Sequence, residues 1–414
     1  MLSSLTEDEF AEQLRRFFTP AQPISKPEQL HGRQAKLLTI RRALNSPGKH
    51  VFVFGDRGVG KTSLAKTAAQ VHLARDDKLP VFACQSDTNL SDLTEAICRE
   101  IIKTNNAAFA EQQRNNLLDT KLPQPIYSIN IKNINDSIEH IRSLLRPEIV
   151  PINLVVIDEF DQILADREKK NVADLIKQLS DQNIPLRLIL CGIGRSLEEL
   201  IGVHLSTDRY LATVALETIP HDARWQIIDS AAQHFQVKFD RDSIIRIGQI
   251  SDGYPYYVHL IGEKIFWELF DDETNVTEVS SDHYDRGLKA AIEEAQTSLK
   301  QAYDMATQKF GNSEDYEEVL WSVADGHLLR RQVSDIFDQS YRAVMDQREE
   351  RVRLSKDQFY QRMNKLKQET HGSVLIGNRQ GWYSFSENVL RGYVRLRAER
   401  AGVKVGIDHA VYGQ

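Results

Sequence analysis

Between His50 and Leu216, short apolar runs alternate with longer polar segments of helical period. The runs are Val51–Phe54, Val81–Cys84, Leu154–Ile157, Leu186–Cys191 and Thr213–Leu216. Continuous apolar runs of this length suit strands buried on both faces rather than strands with one wet face. Helix-period segments between them predict a parallel α/β sheet. The stretch from about 104 to 150 is less regular and reads as an insertion between the second and third strands. Ahead of the sheet, Thr6–Phe18 has the spacing of a short amphipathic helix, and Thr19-Pro20-Ala21-Gln22-Pro23-Ile24 is a Pro-rich connector.

After Pro220 the strand signals stop, and residues 221–300 read as three or four helices, broken most sharply at Ser251-Asp252-Gly253-Tyr254-Pro255. A second pattern begins at Asp315. Helices are predicted over 315–325, 330–347 and 355–371, the last opened by a capping box of Ser355 with Gln358. Ser373–Ile376, a Gly-Asn-Arg-Gln-Gly turn and Trp382–Phe385 then read as a β-hairpin. Three helices followed by a two-stranded wing is winged-helix order. The expected organisation is an N-terminal helix and connector (1–27), an α/β core (28–220), a helical lid (221–300) and a winged-helix domain (301–414).

Composition narrows the setting. A chain of 414 residues has length for two or three domains. No apolar run approaches the roughly 20 residues of a membrane helix. The N-terminus is acidic and lacks the pattern of a secretory signal. Cys84, Cys98 and Cys191 show no metal-ligand or disulfide spacing. A cytoplasmic protein without a membrane partner is the expectation. The net charge of −7 means that any nucleic-acid contact needs a local basic face. Residues 350–400 supply one in sequence, with eleven Lys/Arg against five Asp/Glu. Lys356, Arg362, Lys365 and Lys367 on the third helix, with Arg379 on the wing, are the candidate DNA contacts. Protein docking is the competing use of such a module.

The chemistry is most explicit at Gly55-Asp56-Arg57-Gly58-Val59-Gly60-Lys61-Thr62, which satisfies G-x-x-x-x-G-K-[ST] between a predicted strand and a predicted helix. Gly55, Gly58 and Gly60 let backbone N–H groups curl around phosphates, and the helix N-terminus adds its dipole. Lys61 brings an ammonium to the β- and γ-phosphates, Thr62 brings a hydroxyl to Mg²⁺, and Ser63 follows on the same helical turn. Leu154-Val155-Val156-Ile157-Asp158-Glu159 is an apolar strand ending in two carboxylates. Asp158 is the second candidate Mg²⁺ ligand, and Glu159 is the candidate base for the attacking water. The Asn-Lys-x-Asp and Asp-x-x-Gly patterns of GTPases do not occur, so ATP is the expected nucleotide.

Over about residues 28 to 270 the chain resembles the AAA+ superfamily, especially origin-recognition-like, transposition-regulator and STAND-type signalling ATPases. Leu30-His31-Gly32-Arg33 looks like the element that helps shape the adenine pocket, which makes Arg33 a nucleotide-site residue by resemblance. Leu188-Ile189-Leu190-Cys191 stands where the family has its sensor-1 strand, but Gly192 and Ile193 follow where a polar sensor is expected. Arg209, in His204-Leu205-Ser206-Thr207-Asp208-Arg209, matches the arginine finger that reaches a neighbouring subunit's nucleotide. Gly253-Tyr254-Pro255 resembles the lid G-x-P element, placing Pro255 near the adenine. The resemblance implies an ATP-hydrolysing, homo-oligomeric switch, with DNA or a protein effector as partner. The alternative is a nucleotide-gated docking scaffold with slow turnover and no DNA binding. No nuclease, protease or transferase constellation accompanies the site.

Overall fold

The computed structural model describes residues 5–24, 26–73, 81–114, 131–150, 153–194, 209–272, 276–309 and 311–406. It divides into two compact units. One contains Pro23–Asp56 and Gly60–Glu217; the other contains Met1–Gln22, Arg57–Val59 and Thr218–Gln414.

The chain opens with α1 (Glu7–Leu14), where Thr6 and Glu9 form a reciprocal capping box. The first unit then runs α2 (Gln34–Leu44), β1 (His50–Gly55), α3 (Lys61–Leu73), β2 (Val81–Ala83), α4 (Leu90–Arg114), α5 (Ile134–Leu144), β3 (Asn153–Asp158), α6 (Asp166–Asp181), β4 (Leu186–Ile193) and β5 (Leu211–Leu216). The five strands lie in the order β2-β3-β4-β1-β5, and every pairing is parallel. Every position of β3 is buried, as is every position of β4 before Ile193, which is why Leu154–Ile157 and Leu188–Cys191 read as apolar runs. Phe52, Ile157, Leu188 and Leu190 from the sheet pack with Ile97, Ile101 and Leu175 from the helices. The stretch expected to be irregular is partly helical. α4 extends into it, and Ile138 and Ile141 on α5 bury against the same cluster. The Thr94 hydroxyl donates to the Ser137 hydroxyl at 3.0 Å, pinning α5 to α4.

In the second unit follow α7 (His221–Phe235), α8 (Arg241–Ile250), α9 (Pro255–Phe270), α10 (Ser281–Glu294), α11 (Thr297–Thr307) and α12 (Ser313–Ala324). After β6 (Arg331–Gln332), helix α13 is built from Val333–Asp335, the π-helical Ile336–Tyr341 and Arg342–Asp346. Then come α14 (Lys356–Lys365), β7 (Leu375–Gly377), β8 (Trp382–Phe385) and α15 (Val389–Arg400). Helix α1 docks in this unit: Phe10 stacks on Phe270 at 4.4 Å and meets Trp267 edge-on at 4.9 Å. Gly262 lets the Phe18 ring lie directly on α9, where a Cβ would overlap it.

The C-terminal segment has the predicted order of three helices and a hairpin, and the Ser355–Gln358 capping box is formed. A third strand, β6, pairs antiparallel with β8; its two residues carry no periodicity from which to read it. Arg362 departs from its expected role. It pairs with Asp315 at 3.0 Å and lies over the Tyr316 ring, beside the ion pairs of Arg348 and Arg351 with Glu318. Because its charge is already engaged by α12, Arg362 holds helices together and does not extend toward a partner phosphate.

The closing helix α15 is basic in sequence but buried in fact. Arg391 is 1 % exposed and Arg395 is 3 % exposed. Both donate to the Ala324 carbonyl and both pair with Asp252, at 3.2 and 3.0 Å. Two guanidinium groups survive burial there because a carboxylate and several carbonyls satisfy them. Gly392 brings α15 onto Tyr257 of α9, and the Tyr257 hydroxyl donates to Val389 O at 2.7 Å.

Candidate functional site

The C-terminal ends of β1, β4 and β3 lie side by side in that order. In open α/β sheets this is the edge where ligands bind. The phosphate-loop candidate leaves β1 here and enters α3 at Lys61. Gly58 and Gly60 have φ of +81° and +95°, a backbone region that side chains disfavour. Gly55 is required for a different reason: a Cβ there would overlap the Leu216 carbonyl oxygen of β5.

Lys61 is partly buried, and its ammonium donates to Gly55 O at 3.1 Å and Asp56 O at 2.8 Å. Burial lowers its pKa, opposed by the charges of Asp161, Asp158 and Asp56. Thr62 Oγ1 donates to Asp158 Oδ2 at 2.6 Å, although ninety-six positions separate the two in sequence. The other Asp158 oxygen accepts from the Glu159 amide at 2.9 Å. Asp158 is thus buried and oriented, whereas Glu159 is exposed. Glu159 has φ +54° and ψ +37°, and it turns the chain out of β3 into a short 3-10 turn, Phe160–Gln162.

The remaining predicted residues occupy distinct places. Ser63 Oγ accepts from the Ile24 amide at 3.1 Å, so it anchors the end of the connector to α3. Arg33 is buried and donates to Glu217 O just past β5; burial lowers its pKa to about 10. Pro255 is the first residue of α9, in the other unit. Arg209 is exposed, its guanidinium 5.6 Å from the centre of the Tyr210 ring. It stands at the N-terminal edge of the sheet, where the His50 amide donates to Tyr210 O at 2.8 Å. The six residues of β5 separate it from the Lys61 edge, a span of roughly 20 Å at about 3.3 Å per residue. Positions His204–Asp208 lie outside the described residues.

The structure adds two groups that sequence reading did not single out. Asp161 Oδ1 accepts from the Ile193 amide at 2.6 Å, at the end of β4. Cys191 is buried, faces Lys61 O at 3.9 Å, and its thiol pKa is pushed well up by burial. The available signal for Asp161 was a third acidic residue, one position past Phe160, after the strand-ending pair Asp158-Glu159.

The comparisons bear on the same region. The AAA domain family model matches residues 44–201. No curated protein sequence matches the chain. Among solved structures, a Walker-type ATPase of Pyrococcus abyssi superposes with a TM-score of 0.53 at 15 % identity, covering 91 % of this chain and 99 % of that one. Cdc6p of Pyrobaculum aerophilum gives 0.44 at 12 % identity, covering 94 % and 97 %. The Aeropyrum pernix Orc1 protein, solved in complex with DNA, gives 0.43 at 13 % identity, covering 90 % and 94 %. Residues 44–201 are thus similar to the AAA domain, and the five-stranded parallel sheet with flanking helices matches a P-loop AAA+ α/β fold. Among the described residues no helix is long and apolar enough to cross a membrane.

Proposed function

We propose that this protein is an ATP-dependent molecular switch that binds and hydrolyses ATP at the β1–α3 loop and couples nucleotide state to assembly. The observation that carries this reading is the meeting of Thr62 and Asp158 at 2.6 Å beside the phosphate loop. A hydroxyl and a carboxylate are hard oxygen donors. Mg²⁺ takes few protein ligands and completes its shell with phosphate and water oxygens, so the pair fits it. Held there by Thr62 and Asp158, Mg²⁺ would supply positive charge to offset that of the phosphates. The chain's own groups do the rest in this reading. Lys61 presents its ammonium to the phosphates, backbone amides of the loop hold them, and Glu159 accepts the proton of the attacking water. Pro255 and Arg33 belong to the adenine side by resemblance. Arg209 stands too far from Lys61 along the sheet to serve its own site, which supports a role at the site of a neighbouring copy.

DNA or protein partners are assigned to the C-terminal segment, proposed as a winged helix with Lys365 and Arg379 exposed. A docking scaffold with slow turnover is the second reading. It is favoured by the engagement of Arg362 and the burial of Arg391 and Arg395, which shrink the basic face.

The test is nucleotide titration paired with phosphate release. Lys61→Ala is expected to lose ATP binding. Glu159→Gln keeps binding and loses about 100-fold or more in hydrolysis, since the proton acceptor is gone. Arg209→Ala keeps binding and loses about 1,000-fold if it acts as a finger. Hydrolysis by Glu159→Gln at the wild-type rate would defeat the assignment.

A further inference from the structure

Pairing of β3 with β4 ends at Ile157↔Leu190, whereas β4 continues beside β1 as far as Gly55↔Ile193. Beyond Leu190, β4 has therefore outrun β3. The chain leaving β3 bends away at Glu159 and closes the 3-10 turn with Gln162 N donating to Glu159 O at 2.9 Å. Phe160, fully buried and edge-on to Phe52 at 6.1 Å, plugs this turn into the core. Asp161 then spans the gap that the backbone leaves. One of its oxygens takes the Ile193 amide at 2.6 Å, and the other accepts from Gln162 Nε2 at 3.1 Å. A side chain thus replaces the missing ladder bond between the two strand ends, two residues after the residue proposed to activate water.

We propose that Asp161 is a positioning residue for hydrolysis: by accepting the Ile193 amide it locks the turn bearing Glu159 to the end of β4, and so fixes the Glu159 carboxylate relative to Lys61 and Thr62. The inference rests on the ATPase reading above. Its chemistry is a charge-assisted hydrogen bond to a backbone amide, short and directional. Without it, the turn keeps its Phe160 anchor but loses its register with β4. A small misplacement of a catalytic group is costly, because only the near-attack geometry reacts.

The experiment compares Asp161→Ala and Asp161→Asn with the wild type, measuring ATP affinity by titration, kcat and KM by phosphate release, and folding by thermal melt. Asp161→Ala is expected to lower kcat about 10- to 100-fold with ATP affinity nearly unchanged. Asp161→Asn retains an amide-accepting oxygen and is expected to restore kcat to within about 3-fold of wild type. That rescue, with a kcat loss not shared by binding, is what a merely structural residue does not produce. Asp161→Ser, whose hydroxyl is too short to span the gap, replaces the alanine variant if that one does not fold. An alanine or serine variant with wild-type kcat overturns the inference, as does an asparagine variant as slow as alanine. A wild-type chain that does not hydrolyse ATP overturns the ATPase reading and this inference with it.

Discussion

Glu159 holds a left-handed backbone conformation that costs a non-glycine residue about 1 kcal/mol or more. Glycine would relax the turn but would remove the one exposed carboxylate beside Asp158. The strain is therefore attached to a group with a proposed chemical task. Gly55 shows the opposite logic, where a side chain is excluded by space. Its Cβ would strike a carbonyl oxygen of β5, and a backbone atom cannot rotate aside. Gly55→Ala is expected to destabilise the fold by about 2–3 kcal/mol, with an unchanged denaturant slope. Urea unfolding reads this directly, and a wild-type midpoint would show that the loop relaxes without penalty.

At the scale of elements, β1 contains a polar residue that its apolar neighbours hide. His50 is 1 % exposed, and its Nδ1 accepts the Leu188 amide at 3.0 Å. Burial, with Arg187 nearby, pushes its pKa down to about 3. An unfolded histidine takes a proton near pH 6.5, which the folded one refuses until about pH 3. The folded state is thus fully favoured above about pH 6.5, and this contribution is lost as the pH falls through that window, at roughly 1 kcal/mol per pH unit. His50→Asn keeps an acceptor for Leu188 and has nothing to protonate. Stability measured from pH 7 to 4 is expected to fall less steeply in this variant, by about one proton's worth. Parallel slopes in the two proteins would show that His50 does not set the acid limb.

Over the whole molecule, the basic excess of residues 350–400 disperses once the chain folds. Arg391 and Arg395 are buried on Asp252, and Arg351 and Arg362 are engaged by α12. Lys356, Lys365, Arg379 and Arg400 remain exposed, and Arg353 is exposed but paired with Asp346. If this face meets a nucleic acid, Lys365→Glu with Arg379→Glu is expected to weaken binding and to reduce the log–log salt slope by about 2. Arg362→Glu is instead expected to destabilise the fold by placing like charge against Asp315. Electrophoretic mobility shifts at several salt concentrations, with melts of the same variants, separate the two effects. Wild-type protein without salt-sensitive DNA binding favours the docking reading.

The linear pattern was enough for the α/β sheet, because strands buried on both faces are predominantly apolar. Val51–Phe54, Leu154–Ile157 and Leu188–Cys191 carry that requirement in consecutive residues, while Arg187 is a buried charge within β4 that donates to the Leu44 carbonyl. The phosphate loop was equally legible, since its glycines, lysine and threonine act through local backbone geometry. Thr62 meeting Asp158 was inferable only as a pair of motifs; the 2.6 Å contact depends on β4 lying between β1 and β3. Asp161 looked like one more solvated acid until the mismatch in strand length gave it Ile193 as a partner. The basic residues of α15 misled for the same reason. Charge is a property of the sequence, but whether it faces water, a carboxylate or a carbonyl is decided when distant segments pack, as Arg391 and Arg395 do on Asp252 and Ala324.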